Sequence, residues 1–337
     1  MNFIYWNLYI LYIKIICKGE QKMKYNEKFY EFVEAEEGAI GGYVKVPSFV
    51  TKLWIKGNVK KIRAAMGGES KDITDGRIGF EDKNIKGYKE DIRVRIYKPE
   101  GNEKRPLMVF IHGGGWIGGS IDAVHHYCMA VADRANSVVV SVDYHLAPEA
   151  RFPTGLEDCY LAVKWAVENS EELNIDTDNV TVSGDSAGGN YSAVISIMAR
   201  DRKEFKIHRQ ILIYPATDLT EMMSKETQKQ ERAFGEAMIE MYLKDKKKAS
   251  DQYVSPALCK DLKNLPDALL VVGDLDFLHQ PTLAYAKKLD EAGNNVSFSL
   301  YKNTRHAFID NTGNCKQAED FVNEVAEFIN SKELIIN

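Results

Sequence analysis

Five short aliphatic runs constrain this chain more than any other feature. They lie at 107–111, 137–142, 180–182, 211–214 and 269–272, and helical patterns stand between most of them. A strand that is apolar on both alternating faces must be covered above and below. The spacing of apolar residues predicts helices at 155–169, 187–200, 282–292 and 318–329. Strict alternation predicts half-buried strands at 92–96 and 296–300. Two further helices are expected near the start, at 27–37 on Phe29, Phe32 and Val33, and at 49–66. Buried strands separated by helices make an α/β fold with a mostly parallel central sheet and helices on both faces. Ligands of such sheets sit beyond the carboxyl ends of the strands.

The chain has 337 residues, and we read 23–337 as a single domain. Residues 219–255 are charged, Met-rich and helical in pattern, too long for a plain connection, and are read as an inserted lid. Lys246 to Lys248 inside it are read as a solvated face. There are 44 basic and 49 acidic side chains, giving a net charge of −5. That balance argues against a nucleic-acid partner, which needs a basic face. The five cysteines are scattered without a C-x-x-C pair, so free thiols and a reducing, cytoplasmic location are expected. Residues 1–22 are apolar and aromatic, but Lys14 interrupts them and no basic start or small-residue cleavage site is present. Lys18-Gly19-Glu20 can be encoded by a purine-rich ribosome-binding sequence shortly before Met23. We expect translation to begin at Met23 and 1–22 to be untranslated leader. If the segment is real, it reads as a membrane anchor; otherwise no membrane partner is expected.

Chemistry enters at Gly184-Asp185-Ser186-Ala187-Gly188, a G-x-S-x-G turn from strand to helix. The glycines relieve crowding around a tight turn that lifts the Ser186 hydroxyl above the sheet at a helix N-terminus. An ordinary glycine-rich turn is the bland alternative. A serine nucleophile needs a base, and the base needs a carboxylate. His306 follows the last strand. Asp274 and Asp276 follow the strand before it. The order Ser, Asp, His suits a hydrolase. Asp276 is preferred, with Asp274 left to cap its loop. His112-Gly113-Gly114-Gly115-Trp116 follows a buried strand, and consecutive glycines let backbone N–H groups aim at one oxygen. The loop lacks the G-K-[ST] ending of a phosphate-binding P-loop. Ala187 adds an N–H from the helix start. Trp116 either lines the pocket or seals the loop. His145 and the pair His125-His126 are read as structural, and no metal or cofactor is expected. Glu149 and Asp185 are read as loop ties.

With these residues in hand, the chain resembles the hormone-sensitive-lipase-like esterase branch of the α/β-hydrolases. The resemblance rests on HGGGW at 112–116, DYHLAPEARFP at 143–153 and GDSAGGN at 184–190. SPAL at 255–258, GDLDFL at 273–278 and RHAF at 305–308 complete it. It implies Ser186 as nucleophile, His306 as base and Asp276 as acid. It also implies an oxyanion hole from two N–H groups among Gly113, Gly114 and Gly115, with that of Ala187. The family builds its lid from N-terminal helices plus an insertion, which suits 23–66 and 219–255. The implied activity is hydrolysis of small, short-acyl esters by an acyl-enzyme route. A homodimer is left open. A peptidase or lactonase could use the same triad. A silent binding protein is the other alternative, since gibberellin receptors resemble this family but lack the histidine. Four positions depart from the family pattern. Phe277 stands where proline is usual, Gln280 replaces a second acid, Asn303 replaces a glycine and His145 replaces an arginine.

Overall fold

The computed structural model describes residues 23–28, 48–223 and 229–331. The leader reading of 1–22 and most of the helix expected at 27–37 lie outside them. Nine strands among the described residues make one sheet: β1 (Lys24–Lys28), β2 (Gly79–Lys86), β3 (Asp91–Lys98), β4 (Arg105–Ile111), β5 (Val138–Asp143), β6 (Ile175–Asp185), β7 (Arg209–Ile213), β8 (Asp267–Gly273) and β9 (Val296–Tyr301). Their order is β1-β9-β8-β7-β6-β4-β5-β3-β2. Only the pairs β2–β3 and β3–β5 run antiparallel. The chain therefore moves outward in both directions from β4, leaving the loops after β4 and β6 beside one another at the centre.

The continuous apolar runs are strands that serve two cores at once. In β4, Leu107, Val109 and Ile111 enter one core, and Met108 and Phe110 enter the other. The first core also takes Leu156, Tyr160 and Val163 of α4 (Thr154–Glu168) and Val194, Ile195 and Met198 of α6 (Ala187–Arg202). The second takes Tyr127 and Val131 of α3 (His125–Ala135), with Phe321, Val322 and Val325 of α9 (Lys316–Asn330). It also takes Leu283 and Ala286 of α8 (His279–Glu291). A short α5 (Ser170–Leu173) precedes β6.

The start of the chain differs from the sequence reading. Residues 24–28, expected as the beginning of a lid and a helix, form β1, parallel to β9 at the sheet edge. The open hydrogen-bonding edge of β9 outweighs local helical pattern here. Lys28 fixes the strand: its Nζ donates to Glu324 Oε2 at 2.8 Å and to the Tyr301 hydroxyl at 2.9 Å. The expected helix at 49–66 is two helices, α1 (Ser48–Gly57) and α2 (Val59–Ala64).

The inserted segment is helical, as predicted, with a 3-10 turn at Glu221–Met223, α7 (Lys229–Tyr242) and a second 3-10 turn at Lys246–Ser250. Lys246, Lys247 and Lys248 are exposed. Helices α1 and α7 are joined through charge: Glu240 bonds both Lys56 and Lys246, and Lys52 pairs with Glu236. Burial alone would raise the Glu240 carboxyl, but the Lys246 and Lys56 ammonium groups draw it down from 4.5 to about 2. A carboxyl depressed on folding stabilises above its unfolded value and loses that contribution as pH falls through its folded one. The lysines are partly solvated, so the contribution is discounted to about 1 kcal/mol. Glu240→Gln is expected to lower the stability measured by chemical denaturation at neutral pH by that amount. The gap to wild type should close as pH falls from 4.5 towards about 2.

Candidate active site

Strand β6 ends at Asp185 and α6 begins at Ala187, leaving Ser186 in the turn with φ 53° and ψ −112°. This is strained for a residue with a side chain. The neighbouring strand holds it: the Ser186 N–H donates to the Ile213 carbonyl at 2.8 Å, and Ala216 N–H donates back to the Ser186 carbonyl at 3.2 Å. Asn190, one turn along α6, donates from Nδ2 to the carbonyls of Ala216 and Val254 at 2.7 and 2.8 Å. A Cβ at Gly184 would sit 2.5 Å from the Ile111 carbonyl oxygen, and one at Gly188 would collide with the same carbonyl. Both glycines are thus demanded by the approach of β4 to the turn.

The three residues predicted to act together do meet. His306 Nε2 lies 3.1 Å from Ser186 Oγ, and His306 Nδ1 lies 2.8 Å from Asp276 Oδ2. The other Asp276 oxygen accepts the Leu278 N–H at 2.8 Å. Asp274 turns away, accepting the Thr304 N–H at 3.3 Å, the loop role left open for it. Burial works against the imidazolium, but the Asp276 charge and hydrogen bond win, with help from Asp185 and Asp310, and hold His306 above its usual range. The rings of Tyr214 and Phe277 flank the imidazole at 4.6 and 4.7 Å. Phe277 is the chain neighbour of Asp276, whereas Tyr214 follows β7 and reaches the imidazole only through the fold.

One of the three loop glycines already has a partner for its N–H. The Gly113 N–H donates to Asp185 Oδ1 at 2.6 Å. That bond removes Gly113 from the expected oxyanion donors and ties the loop to the serine turn, the role read for Asp185. The N–H groups of Gly114, Gly115 and Ala187 remain. Gly114 has φ 114°, and a Cβ there would strike the Gly118 backbone. His112 is buried and stacked on Tyr144 at 4.4 Å, with Nδ1 2.8 Å from the Gly113 carbonyl. Burial holds its pKa down. A neutral ring donating to that carbonyl fits. Trp116 is 2% exposed and stacks on Tyr242 of α7 at 4.6 Å, joining the glycine loop to that helix. Helix α7 also approaches the loop through Met238, which faces Gly115.

The remaining polar readings resolve as ties. Glu149 pairs with Arg63 of α2 at 2.6 Å. His145 Nδ1 lies 2.8 Å from buried Asp158, which also accepts the His145 N–H at 3.1 Å. His125 sits 3.0 Å from the Tyr97 hydroxyl and His126 2.9 Å from Ser70 Oγ, on separate partners. Among the described residues, no group of three His, Cys, Asp or Glu side chains could hold a metal.

The profile of the alpha/beta hydrolase fold family matches residues 108–310. The chain belongs to this family. An arylesterase of Saccharolobus solfataricus is 36% identical in a match that covers 68% of this chain and 76% of that protein. An ethyl acetate hydrolase of Pseudomonas putida is 31% identical over 64% of this hydrolase and 71% of its own length. Among solved structures, a hyperthermophilic esterase of the archaeon Pyrobaculum calidifontis superposes with a TM-score of 0.71. It is 31% identical and is matched over 85% of this chain and 91% of its own. The resemblance to the hormone-sensitive-lipase-like esterases is borne out. Among the described residues no helix is long and apolar enough to cross a membrane.

Proposed function

We propose that this hydrolase is a serine carboxylesterase for short-acyl esters. The observation that carries the reading is the unbroken line of hydrogen-bond contacts from Ser186 Oγ through His306 to Asp276. It stands beside a glycine loop at the start of α6. The names of its relatives, arylesterase and ethyl acetate hydrolase, support ester substrates and small acyl groups.

Ser186 attacks the ester carbonyl as His306 Nε2 takes its proton. Asp276 accepts from Nδ1 and stabilises the imidazolium that forms. The carbonyl oxygen becomes an oxyanion facing the N–H groups of Gly114, Gly115 and Ala187, at the positive end of α6. His306 then protonates the departing alkoxide and leaves an acyl-enzyme. Water, deprotonated by His306, releases the acid and restores the serine. Helices α1, α2 and α7 act as a lid. Met238 on Gly115 and Met66 on Gly118 crowd the loop, which favours small acyl groups.

Hydrolysis of p-nitrophenyl esters of increasing acyl length tests this. Turnover should peak at acetyl or butyryl and fall at longer chains. A maximum at long chains would overturn the short-acyl reading, and no hydrolysis at any length would overturn the esterase reading.

A further inference from the structure

Two aromatic rings flank the His306 imidazole, and they differ in one respect. Tyr214 is fully buried, whereas Phe277, tilted by 43° against the ring, leaves 47% of its surface exposed. Leu275 is 46% exposed, yet Asp276 between them is only 6% exposed. The loop after β8 thus buries its acid and presents its two apolar neighbours outward. Singly exposed apolar residues are ordinary on a protein surface. Phe277 is set apart by standing beside the imidazole that contacts Ser186.

The step that follows rests on the esterase reading. The leaving alkoxide takes its proton from His306 Nε2, so its oxygen must come within about 3 Å of that nitrogen. The first carbons of the alcohol then lie alongside the imidazole, within reach of its exposed neighbour. Tyr214 is buried and offers them no face. We propose that Phe277 determines specificity for the alcohol half of the substrate, its exposed ring stacking on aromatic alcohols.

Benzyl acetate and ethyl acetate share an acyl group and have leaving groups of similar basicity, so their ratio isolates the alcohol. Relative to wild type, Phe277→Ala should lower kcat/KM for benzyl acetate by about tenfold, the size of an aromatic contact. Ethyl acetate should change by less than about twofold. Phe277→Leu, which keeps an apolar side chain, should fall between. Competitive inhibition by benzyl alcohol should weaken by the same factor in the alanine variant. The pH profile should not move, because Asp276 still faces His306. Equal losses on both esters with a displaced acid limb would overturn the proposal and make Phe277 a support for the imidazole. Unchanged kinetics on both esters would also overturn it. A wild-type protein that hydrolyses neither acetate removes the esterase reading itself, and this inference falls with it.

Discussion

Ser186→Ala is expected to lower turnover of a p-nitrophenyl acyl ester by about a millionfold, with the fold intact. Alanine keeps the Cβ that Ser186 already carries at φ 53°, so the strain of the turn is the same in both proteins. The backbone bonds to Ile213 and Ala216 do not involve the hydroxyl. Only the Oγ is lost, and with it the atom 3.1 Å from His306 Nε2. The residual rate should still exceed that in water, because the proposed oxyanion donors, the N–H groups of Gly114, Gly115 and Ala187, would polarise a carbonyl without a nucleophile. Pre-steady-state mixing gives a second readout. Wild type should release a burst of p-nitrophenol stoichiometric with enzyme as the acyl group accumulates, and the variant should show none. Adding His306→Ala to Ser186→Ala should cost little more, since the two groups act as a unit. A single variant within tenfold of wild type would mean another nucleophile.

How much of this could be read in the sequence depends on whether the cause is local. The β4, β5, β7 and β8 strands were legible because burial on both faces leaves a run without polar interruption, as in Leu107 to Ile111. Helix α9 was legible because Phe321, Val322, Val325, Phe328 and Ile329 share one face. Helix α3 is not legible, for the opposite reason. Seven of its eleven residues are buried, six of them consecutive from Tyr127 to Ala132, so no polar face marks the period. Strand β2 was missed because, of its eight residues, only Ile85 is buried, and its pairing with β3 leaves no alternation to read. The β6 strand is legible only at 180–182, since its first half carries the polar residues Asp176, Asp178 and Asn179, half-buried or exposed. Strand β1 exists through its partner β9 and the Lys28–Glu324 contact, nearly 300 residues away in sequence.

The site divides the same way. Ser186, His306 and Asp276 were legible because a strained turn and a fixed chain order demand particular residues at particular places. The loss of the Gly113 N–H to Asp185 was not, because HGGG offers several equivalent donors. Only the approach of two loops decides which one is consumed. The stack of Trp116 on Tyr242 is likewise a contact between distant segments that no local pattern encodes.

Asp276→Asn should lower turnover on the order of 10⁴-fold, and the geometry says why. The residue has two acceptor duties, one to the Leu278 N–H and one to His306 Nδ1. Asparagine has a single oxygen. The Leu278 N–H, buried with its loop, takes that oxygen, and the amide NH₂ is then turned towards His306. An NH₂ facing Nδ1 requires Nδ1 to accept, which places the ring proton on Nε2. That nitrogen can then no longer take a proton from Ser186. Asp274→Asn should cost about tenfold or less, because Asp274 accepts from the Thr304 N–H in the same loop region, a bond that an asparagine oxygen can also accept. The pH profile separates the two further. In wild type the Asp276 charge, outweighing burial, holds His306 above its usual value, so the acid limb of kcat/KM should lie above that of a free imidazole. Removing that charge leaves burial to favour the neutral ring, and the limb should move to lower pH in Asp276→Asn. In Asp274→Asn it should stay. Steady-state kinetics of both variants from about pH 5 to pH 9 would measure each quantity. A larger loss in Asp274→Asn would transfer the role of acid to the other carboxylate.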